Sequence, residues 1–379
     1  MRLLSIFPLR MVRSVLSLID NNYSEIKYIS HWINPFKSKH AISFLMNVTL
    51  YKIIPIAALV FSVYVISTLS PSSLFAQQQQ TTTTIDYSFV TSWGSPGSGF
   101  GRFSQPVEIA IDSEGNVYVT DFTALANQVQ KFSSNGTFIL SWGYLGTGGG
   151  GFANPLSIAI DSNETVYVTD WGNADQAVQK FTSDGIFLGL WGSTGLGDGQ
   201  FINPGGIAVD SQGFVYVGDF GENNDIQKFD SEGNFIMGWG SPGSADGQFM
   251  NPADIAIDSQ GVIYVVDGGN SRIQKFDNNG NFLGKWGTAG SGDGQFDSPT
   301  GIAIDSTTGN IFIVDGGNDR VQVFDNNGNF ITKWGFPGSG EGQFDNPIGI
   351  AVDAEGRVYV TDEGNARVQV FSRGGGGGG

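Results

Sequence analysis

The chain has 379 residues, 56 of them glycine, and a formal charge of −17 from 19 Lys and Arg against 36 Asp and Glu. It has no cysteine, which excludes a disulfide framework, a thiolate nucleophile and a cysteine metal site. Seven basic and two acidic residues precede residue 77, so the remainder carries 12 against 34, a net charge of −22. An acidic surface of this strength repels phosphate backbones, and we expect no nucleic-acid binding.

The N-terminal part contains one long apolar segment. Residues 53–69 carry no charge, follow Lys52 and precede a stretch rich in Gln and Thr. We predict a basic region at 1–52, a signal-anchor or signal-peptide helix at 53–69 and a flexible linker at 70–85. If translation starts at Met1, the basic residues hold that end inside and the segment anchors the chain in the membrane. If it starts at Met46, the segment is a cleaved signal peptide, and in both cases we expect the remainder at the cell surface or secreted.

Six copies of one unit follow. Each copy contains Trp-Gly, a Gly-rich loop, Phe-x-x-Pro and Ile-Ala-(Ile/Val)-Asp, and the tryptophans recur every 47 to 49 residues, at Trp93, Trp142, Trp191, Trp239, Trp286 and Trp334. A unit of this size cannot bury its apolar face alone, so it packs against its neighbours. Four apolar runs per copy, separated by turns such as 210–213 and 277–280, predict four strands. We therefore predict an all-β fold over 86–373, a six-bladed β-propeller of four-stranded blades.

The two ends of the repeat region predict that the propeller is closed. The sixth copy ends after Phe371 and continues into a Gly tail at 374–379, so it lacks a fourth strand. Residues 86–92, directly before Trp93, have the pattern that precedes Trp334. We expect this N-terminal segment to supply the outer strand of the last blade, which removes the open sheet edge. We expect the propeller itself to be monomeric.

Copies four to six resemble the NHL-repeat family, whose members carry Phe-x-x-Pro-x-Gly-Ile-Ala-Val-Asp, a Tyr-Val-x-Asp strand and Asn-x-Arg-(Ile/Val)-Gln-x-Phe. Copies one to three depart from this pattern, with Gln128, Ala177 and Asp225 in place of the Arg. An Asp present in every copy is best explained as a structural residue that pairs with the Arg or caps a turn. The predicted structural pairs are Asp267 with Arg272, Asp315 with Arg320, and Asp362 with Arg367.

Function is expected where the copies differ. Directly before Ile-Ala, the first copy has Glu108 and the fourth has Asp254, which would lie on opposite walls of the axial channel at its mouth. Two carboxylates there could bind calcium, and we name them as the candidate metal site. The alternative is that both are solvated side chains in a wet channel.

A second difference follows the Asp of the second strand, where copies one to three have Phe122, Trp171 and Phe220. This loop opens on the same face as the start of the innermost strand. Exposed aromatic clusters mark interfaces and ligand grooves, so we name these three as candidate ligand-binding residues. The alternative is that they pack beneath the longer loops of those copies.

Two functions of different classes remain. The first is a non-catalytic binding module for a protein, peptide or glycan on the channel-mouth face. The second is suggested by six-bladed propellers similar to this one, which include calcium-dependent lactonases, esterases and lyases. The amidating lyases with NHL-like blades use zinc held by histidine, but both histidines, His31 and His40, precede the repeats. RNA-reading NHL propellers need basic faces, whereas the repeats of this chain are strongly acidic. We therefore expect a binding module without catalytic residues, with the calcium-dependent hydrolase or lyase as the alternative.

Overall fold

The computed structural model describes residues 86–122, 127–146, 148–172 and 177–374, which form twenty-four strands and two short 3-10 turns. The segments predicted at 1–52, 53–69 and 70–85, and the Gly tail from residue 375 onward, lie outside the described residues. Across the described ranges, no helix is long and apolar enough to cross a membrane.

The strands form six four-stranded antiparallel sheets. The first three are blade 1, with β2 Pro106–Ile111, β3 Val117–Asp121, β4 Gln128–Phe132 and β5 Phe138–Trp142; blade 2, with β6 Pro155–Ile160, β7 Val166–Asp170, β8 Ala177–Phe181 and β9 Phe187–Trp191; and blade 3, with β10 Asn203–Val209, β11 Val215–Phe220, β12 Asp225–Phe229 and β13 Phe235–Gly240.

Blades 4 and 5 each add a 3-10 turn between their second and third strands. Blade 4 has β14 Pro252–Ile257, β15 Ile263–Asp267, the turn Gly268–Asn270, β16 Arg272–Phe276 and β17 Phe282–Trp286. Blade 5 has β18 Pro299–Ile304, β19 Ile311–Asp315, the turn Gly316–Asn318, β20 Arg320–Phe324 and β21 Phe330–Trp334. Blade 6 has β22 Pro347–Val352, β23 Val358–Asp362, β24 Arg367–Arg373 and, as its outer strand, β1 Tyr87–Trp93.

The six sheets close into a ring, which confirms the predicted propeller. Each inner strand contacts the inner strands of both neighbouring blades, and β2 contacts β22. The chain's first described strand, β1, pairs with β24 in the same sheet as β22 and β23. The prediction that the N-terminal segment completes the last blade is therefore confirmed.

The core lies between adjacent blades, because each sheet buries both faces. Between blades 1 and 2, for example, Tyr118 and Val129 pack on Phe152, Ile158 and Phe181, and none of these side chains is more than 4 % exposed. Five further clusters of the same kind fill the other interfaces. This arrangement explains why a single copy could not be stable alone.

The repeated tryptophans pack on turns of the next copy. At Gly136, where φ is +83°, a Cβ atom would lie 2.5 Å from Cδ2 of the Trp93 indole. Glycine is therefore required there for two reasons: the positive φ of the backbone, and the indole ring that occupies the space where a Cβ atom would lie. The sixth interface differs, because Tyr87 stacks on Trp334 with ring centroids 4.7 Å apart.

Each inner strand pairs irregularly with its neighbour. In blade 1 the register shifts between Pro106 and Ile109, and the backbone N–H of Glu108 donates to Oγ1 of Thr120 (2.9 Å) instead of a strand carbonyl. Thr120 Oγ1 also donates to the carbonyl of Leu156 in blade 2 (2.8 Å). The irregularity therefore places Glu108 and its counterparts at the axis, where neighbouring blades meet.

Candidate functional site

Six inner strands converge at the residue that precedes Ile-Ala, and there is no room at the axis for six side chains. A Cβ atom at Gly349 would lie 2.4 Å from Oε1 of Glu108, and one at Gly206 would lie 2.4 Å from the Cα of Asp254. At Gly301 it would lie 2.4 Å from a backbone carbonyl of blade 6. Glycine in three copies therefore lets the neighbouring inner strands approach closely, and at Gly349 it also makes space for the Glu108 side chain. We call these six residues the axial ring; its members are Glu108, Ser157, Gly206, Asp254, Gly301 and Gly349.

The three side chains of the axial ring accept hydrogen bonds from backbone N–H groups of neighbouring blades. Oε1 of Glu108 accepts from the N–H of Ile350 (3.2 Å) and from Ile109 of its own strand (3.0 Å). Asp254 Oδ2 accepts from the N–H of Ile302 (2.9 Å), and the Ser157 hydroxyl accepts from the N–H of Ile207 in blade 3 (3.2 Å). Buried N–H groups need acceptors, so the carboxylates join adjacent blades as well as facing the axis.

Both carboxyl groups lie in a strongly desolvated place. Glu108 is 7 % exposed and Asp254 is 6 % exposed, so the expectation that they are solvated channel residues is wrong. Burial raises the pKa of Glu108 well above its usual range, and the nearby Asp254 carboxylate raises it further. Burial also raises the pKa of Asp254, to about 7. The pair therefore disfavours double ionisation, as expected for two buried carboxyl groups that repel one another.

A cavity of about 440 Å³ opens beside these groups. Its wall includes the residue after Pro in all six blades, a set that was missed in the sequence; these residues are Val107, Leu156, Gly205, Ala253, Thr300 and Ile348. Glu108 and Ser157, one position further along their strands, also line it, as do Phe220, Asn251 and Pro252. The cavity therefore combines a mostly apolar wall with a buried acidic group. The Pro-x position recurs in each copy with variable side chains, which is the signal that would have identified it.

The structure brings two of the three candidate aromatics together. The rings of Trp171 and Phe220 meet edge to face, with centroids 5.8 Å apart. Phe220 leans over Gly205, where a Cβ atom would lie 3.1 Å from its Cδ1, and it lines the cavity. Phe122 does not belong to the cavity wall. All three are half-buried, so they are neither core residues nor fully exposed.

The repeated Asp residues organise the turns beside the cavity. In blade 4 the Asp267 carboxylate accepts from the backbone N–H of Met250 (2.7 Å) and from Nε of Arg272 (2.7 Å). The same ion pair occurs at 2.7 Å in the next two blades, between Asp315 and Arg320 and between Asp362 and Arg367. In blade 1, which has no Arg here, Asp121 accepts two backbone N–H groups of the Phe-x-x-Pro loop. These contacts give the Asp series a structural role.

The candidate metal residues, Glu108 and Asp254, are not joined by a third acidic or histidine ligand. Within the described ranges, no group of three or more such side chains is arranged to hold a metal ion. One oxygen atom of each carboxylate also accepts a hydrogen bond from a backbone N–H group. Any calcium here would therefore depend on these two groups and on backbone or solvent oxygens.

Comparisons with known proteins agree with this architecture. The NHL repeat family matches at residues 201–229, 249–276, 296–324 and 344–371. No curated protein sequence matches the chain significantly.

Similar solved structures include both binding proteins and enzymes. An auxiliary nutrient binding protein from Bacteroides thetaiotaomicron has a TM-score of 0.55 at 15% identity, over 77% of this chain and 73% of that one. A gluconolactonase from Xanthomonas campestris has a TM-score of 0.53 at 13% identity, over 73% and 88%. A catalytically inactive His-to-Ala variant of virginiamycin B lyase from Staphylococcus aureus, with quinupristin, has a TM-score of 0.51 at 16% identity, over 76% and 89%. At these identities the likeness extends to the fold alone.

Proposed function

Since the chain belongs to the NHL-repeat β-propeller family, we propose that it is an exported or membrane-tethered binding module whose ligand enters the axial cavity. The observation that carries the proposal is the cavity of about 440 Å³, with an apolar wall and the buried carboxyl group of Glu108. Ligand sites in proteins are typically concave, mostly apolar and supplied with a few convergent polar groups. A ligand that places an apolar portion against Val107 and Leu156 and a hydrogen-bond donor or cation at Glu108 would suit this surface.

The aromatic pair extends the proposed site toward the rim. Phe220 lines the cavity and Trp171 packs against its ring, so a peptide or glycan could stack on these side chains as its end group enters the cavity. The nutrient-binding protein from Bacteroides thetaiotaomicron shows that a propeller of this shape occurs in a binding protein.

The proposal is tested with variants of two residues that line the cavity, Ala253 and Glu108. We would screen peptides, oligosaccharides and small amines by thermal shift and measure hits by calorimetry. Ala253→Phe fills the cavity and should abolish binding, while Glu108→Gln keeps an acceptor and should weaken only ligands that carry a donor or cation. Val90→Ala on the outer strand, where Val90 is 50 % exposed, is the control and should bind as the parent does. Ligands that bind Ala253→Phe unchanged would place the site elsewhere.

The second candidate is a calcium-dependent hydrolase or lyase. It is favoured by the proximity of Glu108 and Asp254, whose mutual repulsion a cation would relieve, and by the gluconolactonase of similar shape. Against it, the lyase variant that lacks one histidine is described as inactive, and this chain has no histidine after His40. A calcium-dependent rise in Tm that disappears in Glu108→Gln/Asp254→Asn, together with hydrolysis of a lactone substrate, would favour the enzyme. Sequencing the mature N-terminus by mass spectrometry would show whether residues 53–69 are retained.

A further inference from the structure

Blade 4 holds the side-chain cation of Arg272 in a pocket of oxygen atoms. Its Nε donates to Asp267 (2.7 Å), and its two terminal nitrogens donate to the backbone carbonyls of Ser244 (2.7 Å), Ala245 (2.8 Å) and Gln248 (2.8 Å). The Arg272 side chain is only 7% exposed. Blades 5 and 6 repeat this arrangement with their own Arg and Gly-rich loop. The pocket is therefore a cation site built from one carboxylate and three carbonyls.

Blade 3 has the same loop conformation around this pocket but lacks the Arg side chain that fills it. The corresponding Gly-rich loop is held by the same bonds, from Gly195 N–H to the Phe201 carbonyl (3.0 Å) and from Gln200 N–H to the Gly197 carbonyl (2.9 Å). Gln227 Nε2 donates to the Gln200 carbonyl at 2.7 Å, as its counterpart does in blade 4. In this register, the carbonyls equivalent to those around Arg272 belong to Leu196, Gly197 and Gln200.

Asp225 stands at the Arg position of blade 3, directly across the ladder from Asp219. Its Oδ1 is buried and has no hydrogen-bond partner among the described residues. Asp219 already accepts from two loop N–H groups and from the Asn223 amide (2.7 Å). By this register, blade 3 places the Asp225 carboxyl group beside a second carboxyl group and toward the loop carbonyls. When both carboxyl groups are ionised, none of these oxygen atoms can donate a hydrogen bond to another.

The charge of this cluster is negative, whereas in blades 4 to 6 an Arg balances the repeated Asp. Burial, together with the carboxylates of Asp219 and of Asp198 on the Gly-rich loop, raises the pKa of Asp225 to about 7. Asp198 is exposed, so the cluster reaches solvent on its loop side. Copies one and two have the neutral Gln128 and Ala177 at this position, which makes blade 3 unique in the ring.

We propose that blade 3 binds a divalent metal cation of the calcium type in place of the guanidinium. Oδ1 of Asp225 and the carbonyls of Leu196, Gly197 and Gln200 would supply the oxygen ligands, and Asp219 and Asp198 would supply further negative charge. Calcium takes six to eight oxygen ligands in flexible geometry and accepts backbone carbonyls, so this donor set fits it. The site lies within blade 3 and its loop and is separate from Glu108 and Asp254.

The experiment measures calcium binding to the full chain after treatment with EDTA. Calorimetry should give one calcium per chain, and millimolar calcium should raise Tm. Asp225→Asn removes the charge with little change in size and should weaken calcium affinity at least tenfold. Asp225→Arg restores the pattern of blades 4 to 6 and should abolish the response while raising the Tm of the metal-free chain.

Glu108→Gln/Asp254→Asn is the matched control and should keep the calcium response, because its changes lie at the axis. A response lost in this control but kept in Asp225→Asn would overturn the inference and favour the axial metal site. The absence of calcium binding by the parent chain would also overturn it. Neither result bears on whether an organic ligand enters the axial cavity, which is tested separately with Ala253→Phe.

Discussion

Single glycines of the axial ring determine how closely the blades approach. Gly349 has an ordinary negative φ, so its requirement for glycine is purely one of space. A Cβ atom there would meet the Glu108 carboxylate at 2.4 Å and the Val107 carbonyl at 2.6 Å. Because one of these neighbours is backbone, a simple rotamer change cannot relieve the clash.

Gly349→Ala should therefore destabilise the propeller by about 1–3 kcal/mol, the usual cost of overpacking. Gly189→Ala is the matched control, because Gly189 also lacks a positive φ and a Cβ atom there would meet nothing within 4 Å. The control should be neutral or slightly more stable, since alanine reduces the entropy of the unfolded chain. Urea denaturation of both variants measures the difference; equal stability would contradict the close approach at the axis.

The buried acids of the axial ring predict how stability depends on pH. Their ordinary pKa values are 4.5 for Glu108 and 3.8 for Asp254, and burial raises both in the folded state, that of Asp254 to about 7. The folded protein therefore binds more protons than the unfolded chain over this interval, so stability falls as the pH rises from about 4 through 7. Asp225, whose pKa is also raised to about 7, acts in the same direction.

We expect the fall in Tm between pH 5 and pH 8 to be smaller in Glu108→Gln/Asp254→Asn than in the parent. The amides keep an oxygen that can accept the N–H of Ile350 or Ile302, so the bonds between blades persist without a titrating group. Thermal denaturation followed by circular dichroism at intervals of half a pH unit measures the slopes. Identical slopes in the two proteins would show that these carboxyl groups do not titrate differently on folding.

Among the elements, the third strand differs between the two halves of the ring in the residue with which it begins. In blades 4 to 6 it begins with an Arg that bonds the Gly-rich loop entering its own blade, as Arg320 does with Gly292 and Gln295. Blades 1 to 3 lack this anchor, and their aromatic residues Phe122, Trp171 and Phe220 are half-buried. The candidate ligand-binding aromatics Trp171 and Phe220 therefore belong to the half with fewer ionic anchors.

Arg320→Ala should be strongly destabilising because it leaves Asp315 buried, with a fully covered side chain, beside unpaired carbonyls. Removing one partner of a buried ion pair costs about 3–5 kcal/mol. Lys333→Ala breaks the Lys333–Asp293 pair, in which both side chains are about half exposed, and should cost less than about 1 kcal/mol. Chemical denaturation of the two variants compares a buried pair with an exposed one; similar losses would contradict the structural role of the Arg.

The strands were predictable from the sequence because their signals are local. Alternation and turn residues define each strand, and the match between 86–92 and the segment before Trp334 identified the closing strand.

The site was predictable only in part. Glu108 and Asp254 were expected at the axis, but their burial depends on glycines about a full copy away or more, such as Gly349 and Gly206. The position of the Phe220 ring likewise depends on glycine at position 205, where a Cβ atom would lie close to the ring. Such contacts arise only when six strands meet around one axis.

At the scale of the whole molecule, closure joins the two ends of the repeat region within one sheet. The strand β1 pairs with β24 from Tyr87↔Arg373 to Trp93↔Val368. At five interfaces, a glycine in the turn before the outer strand lies beneath the Trp of the preceding copy. At the sixth interface the outer strand is β1, which no such turn precedes. Tyr87 fills that position, is 7% exposed and packs on both Trp334 and Phe312. A large side chain thus replaces a glycine at the one point where the ring is not covalently continuous.

Tyr87→Ala should therefore weaken the closure of the ring and the stability of the whole propeller. Loss of a large buried aromatic costs about 3–5 kcal/mol, and here it also loosens the start of β1, the strand that makes blade 6 four-stranded. Val90→Ala lies on the same strand at a position that is 50 % exposed, and it should cost little. Hydrogen exchange of β24 amides measures the closure directly: they should exchange faster in Tyr87→Ala, while amides of β15 in blade 4 keep the protection they have in the parent. Equal acceleration in both strands would mean that the ring unfolds as a single unit, whereas no acceleration in β24 would show that β1 stays paired without Tyr87.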